Sequence, residues 1–117
     1  MIPRYRAWFG SEMYDKPVVY DGEFYLDWRD FENGDTFNDA ILMQSTGVFD
    51  KNGKEIFEGD VVRILDEKLS KIYYSDGAFC VDILNGGTPL HAFLSEQLEI
   101  ISSIYENPEL VEVLDEN

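Results

Sequence analysis

Cysteine and histidine occur once each in the 117 residues, as Cys80 and His91. A lone cysteine forms no intramolecular disulfide, which fits a reducing compartment rather than a stapled secreted domain. One residue of each kind also falls short of the set a zinc site draws on, so no metal centre is expected. A Gly-x-Ser-x-Gly elbow is missing, as are Gly-x-Gly-x-x-Gly and Gly-x-x-x-x-Gly-Lys-Ser/Thr phosphate cradles, and no cofactor is expected either. Cys80, between Phe79 and Val81, reads as a small core side chain on a strand, and His91 in Pro89-Leu90-His91-Ala92-Phe93 as a partly exposed strand residue. Long apolar runs are missing too. No stretch reaches the roughly 20 residues of a membrane helix, and Met1-Ile2-Pro3-Arg4-Tyr5-Arg6 holds no apolar segment that could act as a signal peptide. The expectation is a soluble, cytoplasmic protein.

Basic residues are scarce as well. Nine Lys and Arg stand against 24 Asp and Glu, a formal net charge of −15. Lys71 is the last cation, and the 46 residues from Ile72 onward carry nine acids and no Lys or Arg. Phosphate binding depends on cations, so such a surface repels nucleic acid and anionic membranes. It suits a basic protein partner, or simply keeps the chain in solution.

What the chain does have is 44% hydrophobic and 15% aromatic residues, a globular composition in a length that fits one domain spanning 1–117. Seven Tyr, eight Phe and two Trp favour strands. Three dipeptides punctuate β-forming runs: Asp21-Gly22, Asn52-Gly53 and Asp76-Gly77. Each suits the type I′ turn, where both central residues take positive φ. Counting outward from two-residue loops pairs Val19 with Phe24, Phe49 with Ile56 and Tyr74 with Phe79, all apolar cross-strand contacts. Further strands are expected over 41–45, 59–65, 4–9 and 98–104. Many short strands with Gly turns mean a mainly β fold, a small barrel or strongly bent sheet built from hairpins. The expected helix is a short C-terminal one, with Asn107 as N-cap, Pro108 in the first position and Glu109 through Leu114 following.

The stretch from Arg29 to Asp39 reads as an acidic loop or irregular crossing. Asp30, Glu32, Asn33 and Asp35 crowd around Gly34, but that glycine falls fifth from Asp30 where a calcium loop needs it sixth, and amphipathic flanking helices are missing. Asp30, Glu32, Asp35 and Asp39 sit together with Arg29 as the nearby cation, so they are the candidate partner-binding residues. The 24 acids offer many carboxylate pairs, and for that reason no single pair indicates hydrolysis. Without a constellation in defined roles, no catalytic residue is assigned.

The run from Leu42-Met43-Gln44-Ser45-Thr46-Gly47-Val48-Phe49-Asp50 through Lys51-Asn52-Gly53-Lys54-Glu55-Ile56-Phe57-Glu58-Gly59-Asp60-Val61-Val62-Arg63 resembles the signature of YopX-type phage proteins. Arg6-Ala7-Trp8 is similar to that family's opening and Ile104-Tyr105-Glu106-Asn107-Pro108-Glu109-Leu110 to its closing motif. Phe9 follows the Trp where Asp is common, and Ser102-Ser103 stands where the family usually shows Gly-Asn. The resemblance implies a phage or prophage origin and a barrel-like domain of the Src-homology-3-like kind. It implies no activity and supplies no catalytic residues.

Two functional readings follow. The first is a non-enzymatic accessory protein of the host-cell cytoplasm, acting through a protein partner or as a homo-oligomer, since small sheets with open edges complete themselves by association. The alternative is an acidic DNA mimic that occupies a basic host DNA-binding protein. A carboxylate hydrolase has no feature in its favour.

Overall fold

The computed structural model describes residues 4–20, 23–25, 28–34, 40–84 and 86–110. The chain is mainly β with curled sheet, as expected. It divides into two compact units, Met1–Gln44 and Ser45–Asn117.

In the first unit, β1 (Tyr5–Phe9) pairs antiparallel with β2 (Glu12–Tyr14), Phe9 opposite Glu12. Gly10 makes the reversal at φ 67°. The other edge of β1 pairs with the opening residues of β5 (Ile41–Phe49), placing Arg6 opposite Met43. Ala7 and Met43 are buried, as is Arg6. β3 (Val18–Tyr20) pairs with β4 (Glu23–Tyr25), and Val19 faces Phe24 as its flanks predict; Asp21 and Gly22 themselves lie outside the described residues.

The acidic stretch departs from expectation. Instead of an irregular crossing, Trp28–Asn33 forms a six-residue helix, α1. Gly34 follows at φ 76°, the left-handed stop that ends many helices.

Among the described residues, the second unit holds the larger buried cluster. β7 (Asp60–Ile64) lies between β8 (Lys68–Lys71) and β12 (Leu98–Ser103), and β10 (Ala78–Leu84) lies between β9 (Tyr73–Ser75) and β11 (Gly86–Pro89). Alternation on β7 points Val62 and Ile64 inward and leaves Arg63 exposed. These two join Ile56, Ile72, Val81, Leu90 and Leu98 in one buried cluster, with Val48, Phe79, Phe93 and Ile100 packed against it. Removing that much apolar surface from water is the main driving force for folding the unit. A bulge between Ile100 and Ser102 bends β12 and turns Ile101 outward.

Two hairpins in this unit test the sequence register. At Asp76-Gly77 both residues take positive φ, 50° and 84°, and Phe79 faces Tyr74, as predicted. Their rings meet edge to face with centroids 5.1 Å apart. At Asn52-Gly53 the register is one residue off. Phe49 faces Glu55, not Ile56. The loop has three residues, Lys51 to Gly53, closed by Gly53 N–H to the Asp50 carbonyl (3.0 Å) and Asp50 N–H to the Lys54 carbonyl (2.8 Å). Only Gly53 takes positive φ, at 79°. The cause is the Asp50 side chain. Its Oδ1 accepts from the amides of Asn52 and Lys54, both at 2.9 Å, and so pulls the chain into an Asx-type turn. The shift has a consequence for packing: Ile56 enters the core, whereas Phe49 is 44% exposed.

Leu90–Ala92 and Ser95–Gln97 are single 3-10 turns. His91 is exposed, but on the first of these turns and not on a strand, because the chain bends at Pro89. At the C-terminal end, Leu110 N–H bonds the Asn107 carbonyl at 3.1 Å and helical conformation begins at Glu109. The rest of the expected helix lies outside the described residues.

Candidate functional site

The expected partner-binding acids are placed only in part. Asp30 and Glu32 lie on α1, and Glu32 is exposed. Asp35 and Asp39 lie outside the described residues, so the four are not brought together as a described cluster.

Polar chemistry that is well defined sits instead inside the second unit, and it serves the backbone. Asp50 is 3% exposed. Besides the two loop amides on Oδ1, its Oδ2 accepts from Ile100 N–H at 3.0 Å, tying the β5–β6 loop to β12, where β6 is Glu55–Phe57. Lys51 N–H adds a bond to the Leu98 carbonyl at 2.9 Å. Burial pushes the Asp50 carboxyl upward, but the amides of Ile100, Lys54 and Asn52 and the charge of Lys54 together outweigh it and hold the group below the usual carboxylate range.

Three other buried polar side chains follow the same logic. Asp60 Oδ2 accepts from Phe57 N–H at 2.9 Å. Ser70 Oγ donates to the Lys71 carbonyl and accepts Asp82 N–H at 2.8 Å, joining β8 to β10. Ser103 Oγ accepts Glu106 N–H and donates to the Glu106 carboxylate, both at 3.0 Å, which closes the turn after β12. On β5, Ser45 Oγ donates to Glu55, and Thr46 Oγ1 donates to the Ile56 carbonyl at 2.7 Å where Gly47 (φ 78°) bulges the strand.

On the β9–β10–β11 sheet, Tyr73 donates to Asp82 Oδ1 at 2.6 Å. That bond, with some burial and the nearby charges of Asp82 and Cys80, pushes the phenol up to about 12. The hydroxyl lies above Gly87, so close that a Cβ there would stand 2.4 Å from it. Cys80 is buried in mid β10 opposite Tyr73 and Pro89, the strand position expected of it. Among the described residues no group of three His, Cys, Asp or Glu could hold a metal ion, and no helix is long and apolar enough to cross a membrane.

The comparisons with known proteins decide the family. The sequence profile described as YopX protein matches residues 18–112. The chain belongs to the YopX family. Two solved structures share its fold. One is protein EF1440 from Enterococcus faecalis, with a TM-score of 0.66 and 29% identity over 95% of this chain and 99% of that one. The other is protein yopX from Bacillus subtilis, with a TM-score of 0.59 and 22% identity over 92% and 96% of the two chains. No curated protein matches the sequence. Within the YopX-matching span the central block maps onto the Asp50 loop, the Thr46–Gly47 bulge and the Asp60 turn.

Sequence reasoning overlooked this framework as a set of working side chains. Asp50, two residues before Asn52, is the signal that was there to find. It also overlooked the outward-facing apolar residues of the second unit, among them Leu65, Tyr74 and Leu94, each more than half exposed. No periodicity marks those.

Proposed function

We propose that this YopX-family chain is a non-enzymatic phage or prophage accessory protein that acts in the host cytoplasm by protein–protein interaction or self-assembly. One observation carries the reading. The buried polar side chains of the second unit, Asp50, Asp60, Ser70 and Ser103, are engaged with backbone amides, so their chemistry holds the fold together. Groups tied up in this way are poor candidates for moving protons or attacking a substrate. What the unit presents outward is apolar surface and acidic charge, the ingredients of recognition.

The acidity favours a second reading, in which the acids imitate a nucleic-acid backbone and occupy a basic host protein. Its support is the net charge of −15 and the absence of Lys and Arg after Lys71. Sedimentation of the purified protein, with capture from host lysate at low and high salt, tests both. A salt-sensitive basic partner whose DNA binding is displaced supports mimicry. Loss of that partner when Asp30, Glu32, Asp35 and Asp39 become Asn or Gln would place the contact on that segment. A strict monomer that captures nothing at either salt concentration would refute the interaction reading altogether.

A further inference from the structure

We propose that the tip of the β7–β8 hairpin and the adjoining 3-10 turn at Ser95–Gln97 form a docking site for a basic amphipathic segment of a partner protein, anchored by Leu65 and Leu94. The inference rests on the interaction reading above and names its surface and the chemistry of its partner.

The hairpin tip is strained. Leu65 and Asp66 take φ of 55° and 60°, and Glu67 N–H closes the turn on the Ile64 carbonyl at 3.1 Å. In the left-handed region a branched side chain crowds the neighbouring carbonyl, which makes leucine a poor residue for it. The same chain builds its Asp76-Gly77 turn with glycine in the second of the two positive-φ positions. Turn geometry therefore does not account for Leu65. Packing does not either, because Leu65 is 53% exposed. Backbone strain kept without burial points to a side chain held outward for use.

A second exposed leucine is tied to the same backbone link. Leu65 N–H donates to the Gln97 carbonyl at 2.9 Å. Gln97 N–H donates to the Leu94 carbonyl at 2.9 Å, and Leu94 N–H donates to Gln97 Oε1 at 2.8 Å. Gln97 thus fixes both leucine backbones. Phe93 packs on the core and Leu98 is fully buried, yet Leu94 between them is 62% exposed. The loop is pinned at both ends while its apolar side chain faces water.

The rim selects the occupant. Asp66, Glu67 and Glu96 are exposed on the same two turns, with Lys68 the cation next to the tip and Arg63 and Lys71 farther along the hairpin. Nearby, the single carboxylate of Glu99 pairs with both Arg63 and Lys51, at 3.2 and 3.5 Å, so four acids (Asp66, Glu67, Glu96, Glu99) stand against three cations (Lys51, Arg63, Lys68), a local net of −1. A net acidic rim around an apolar pair complements a segment that presents apolar side chains flanked by Lys or Arg. A second copy of this chain, itself at −15, meets like charge.

The test uses the intact protein and a labelled helical peptide of about 14 residues composed only of Leu and Lys. A Ser/Lys peptide of the same charge is the control, and binding is read by anisotropy at about 0.15 M salt. Wild type should prefer the Leu/Lys peptide, and Leu65→Asn and Leu94→Ser should each weaken it roughly tenfold. Asparagine tolerates the left-handed region, so Leu65→Asn should also raise, or at least not lower, the thermal midpoint; a merely structural leucine would do the opposite. Equal peptide binding by wild type and the double variant would overturn the site in favour of charge alone. Failure of wild type to distinguish the two peptides would overturn it as an apolar anchor. Self-association lost in the leucine variants would overturn the basic partner in favour of a second copy. If the peptide preference fails but lysate capture stays salt-sensitive, the interaction reading survives without this surface; if both fail, neither stands.

Discussion

Replacing Asp50 tests the framework most directly. Its carboxylate accepts three backbone amides while only 3% exposed, so Asp50→Ala removes three charge-assisted bonds at once. Hydrogen bonds to charged groups contribute about 1.5–3 kcal/mol each. They do not add simply here, because Asn52 and Lys54 are exposed and their amides can turn to water. The Ile100 amide is half-buried on β12 and has less access to a substitute. A loss of about 3 kcal/mol is expected for Ala, and about half that for Asn, which keeps one carbonyl oxygen. At this chain length about 4 °C of midpoint accompanies each kcal/mol, so Asp50→Ala should melt roughly 12 °C lower. The pH arm isolates the charge. The folded carboxyl lies below its unfolded value of about 3.9, so its contribution is fully present above that pH and is lost as pH falls through the depressed folded value. The stability gap between wild type and Asp50→Asn, from urea melts, should be widest at neutral pH and shrink below about pH 4. A gap independent of pH, or an Ala variant within 1 kcal/mol of wild type, would refute the assignment.

Gly53→Val should cost about 1 kcal/mol or more in a urea melt, since φ 79° resists a β-branched side chain although nothing crowds the site. Ile56→Ala, at a fully buried position, should lose about 2–5 kcal/mol by the same measurement, and a near-neutral result would contradict the observed register. Alkaline titration followed by tyrosinate absorbance should find one phenol near about 12, and Asp82→Asn should return it toward 10. Gly87→Ala should lower that titration as well, because the new Cβ must push the Tyr73 hydroxyl off Asp82.

Where local rules and side-chain hydrogen bonding agreed, the sequence was readable. At Asp76-Gly77 the register came out by counting alone. Asn52-Gly53 obeys the same dipeptide rule, but Asp50 captures the loop amides and lengthens the loop by one residue. The helix at Trp28–Asn33 was hidden by its acids, although Asn33-Gly34 is a fair stop signal. β8 and β11 are Lys-rich and Gly/Pro-rich; pairing with β7 and β10 makes them strands, not their own propensity. Gly87 is needed there because the Tyr73 ring lies over it, a contact between strands that no local pattern encodes. The leucine pair was illegible for a similar reason: residues 65 and 94 are linked by hydrogen bonds through Gln97, far apart in sequence, and nothing in the sequence marks Leu65 as left-handed.

The residues that carry the YopX resemblance are largely the ones the backbone uses. Thr46 bonds the Ile56 carbonyl, Asp50 holds Ile100, Asp60 holds Phe57, and Gly59 donates to Ile72 while accepting from Ile104. Such a block specifies a scaffold, and a scaffold restrains function without choosing it. On the proposed interaction reading, choice of partner falls to side chains outside this framework, on the turns it holds rigid. Charge and shape then divide the task by distance. At physiological salt the field of the acids reaches roughly 8 Å and bears on the rate of encounter with a basic surface. It cannot fix a register, because the acids are spread along the chain. Two exposed leucines on pinned loops can, since apolar anchors bind only where they fit.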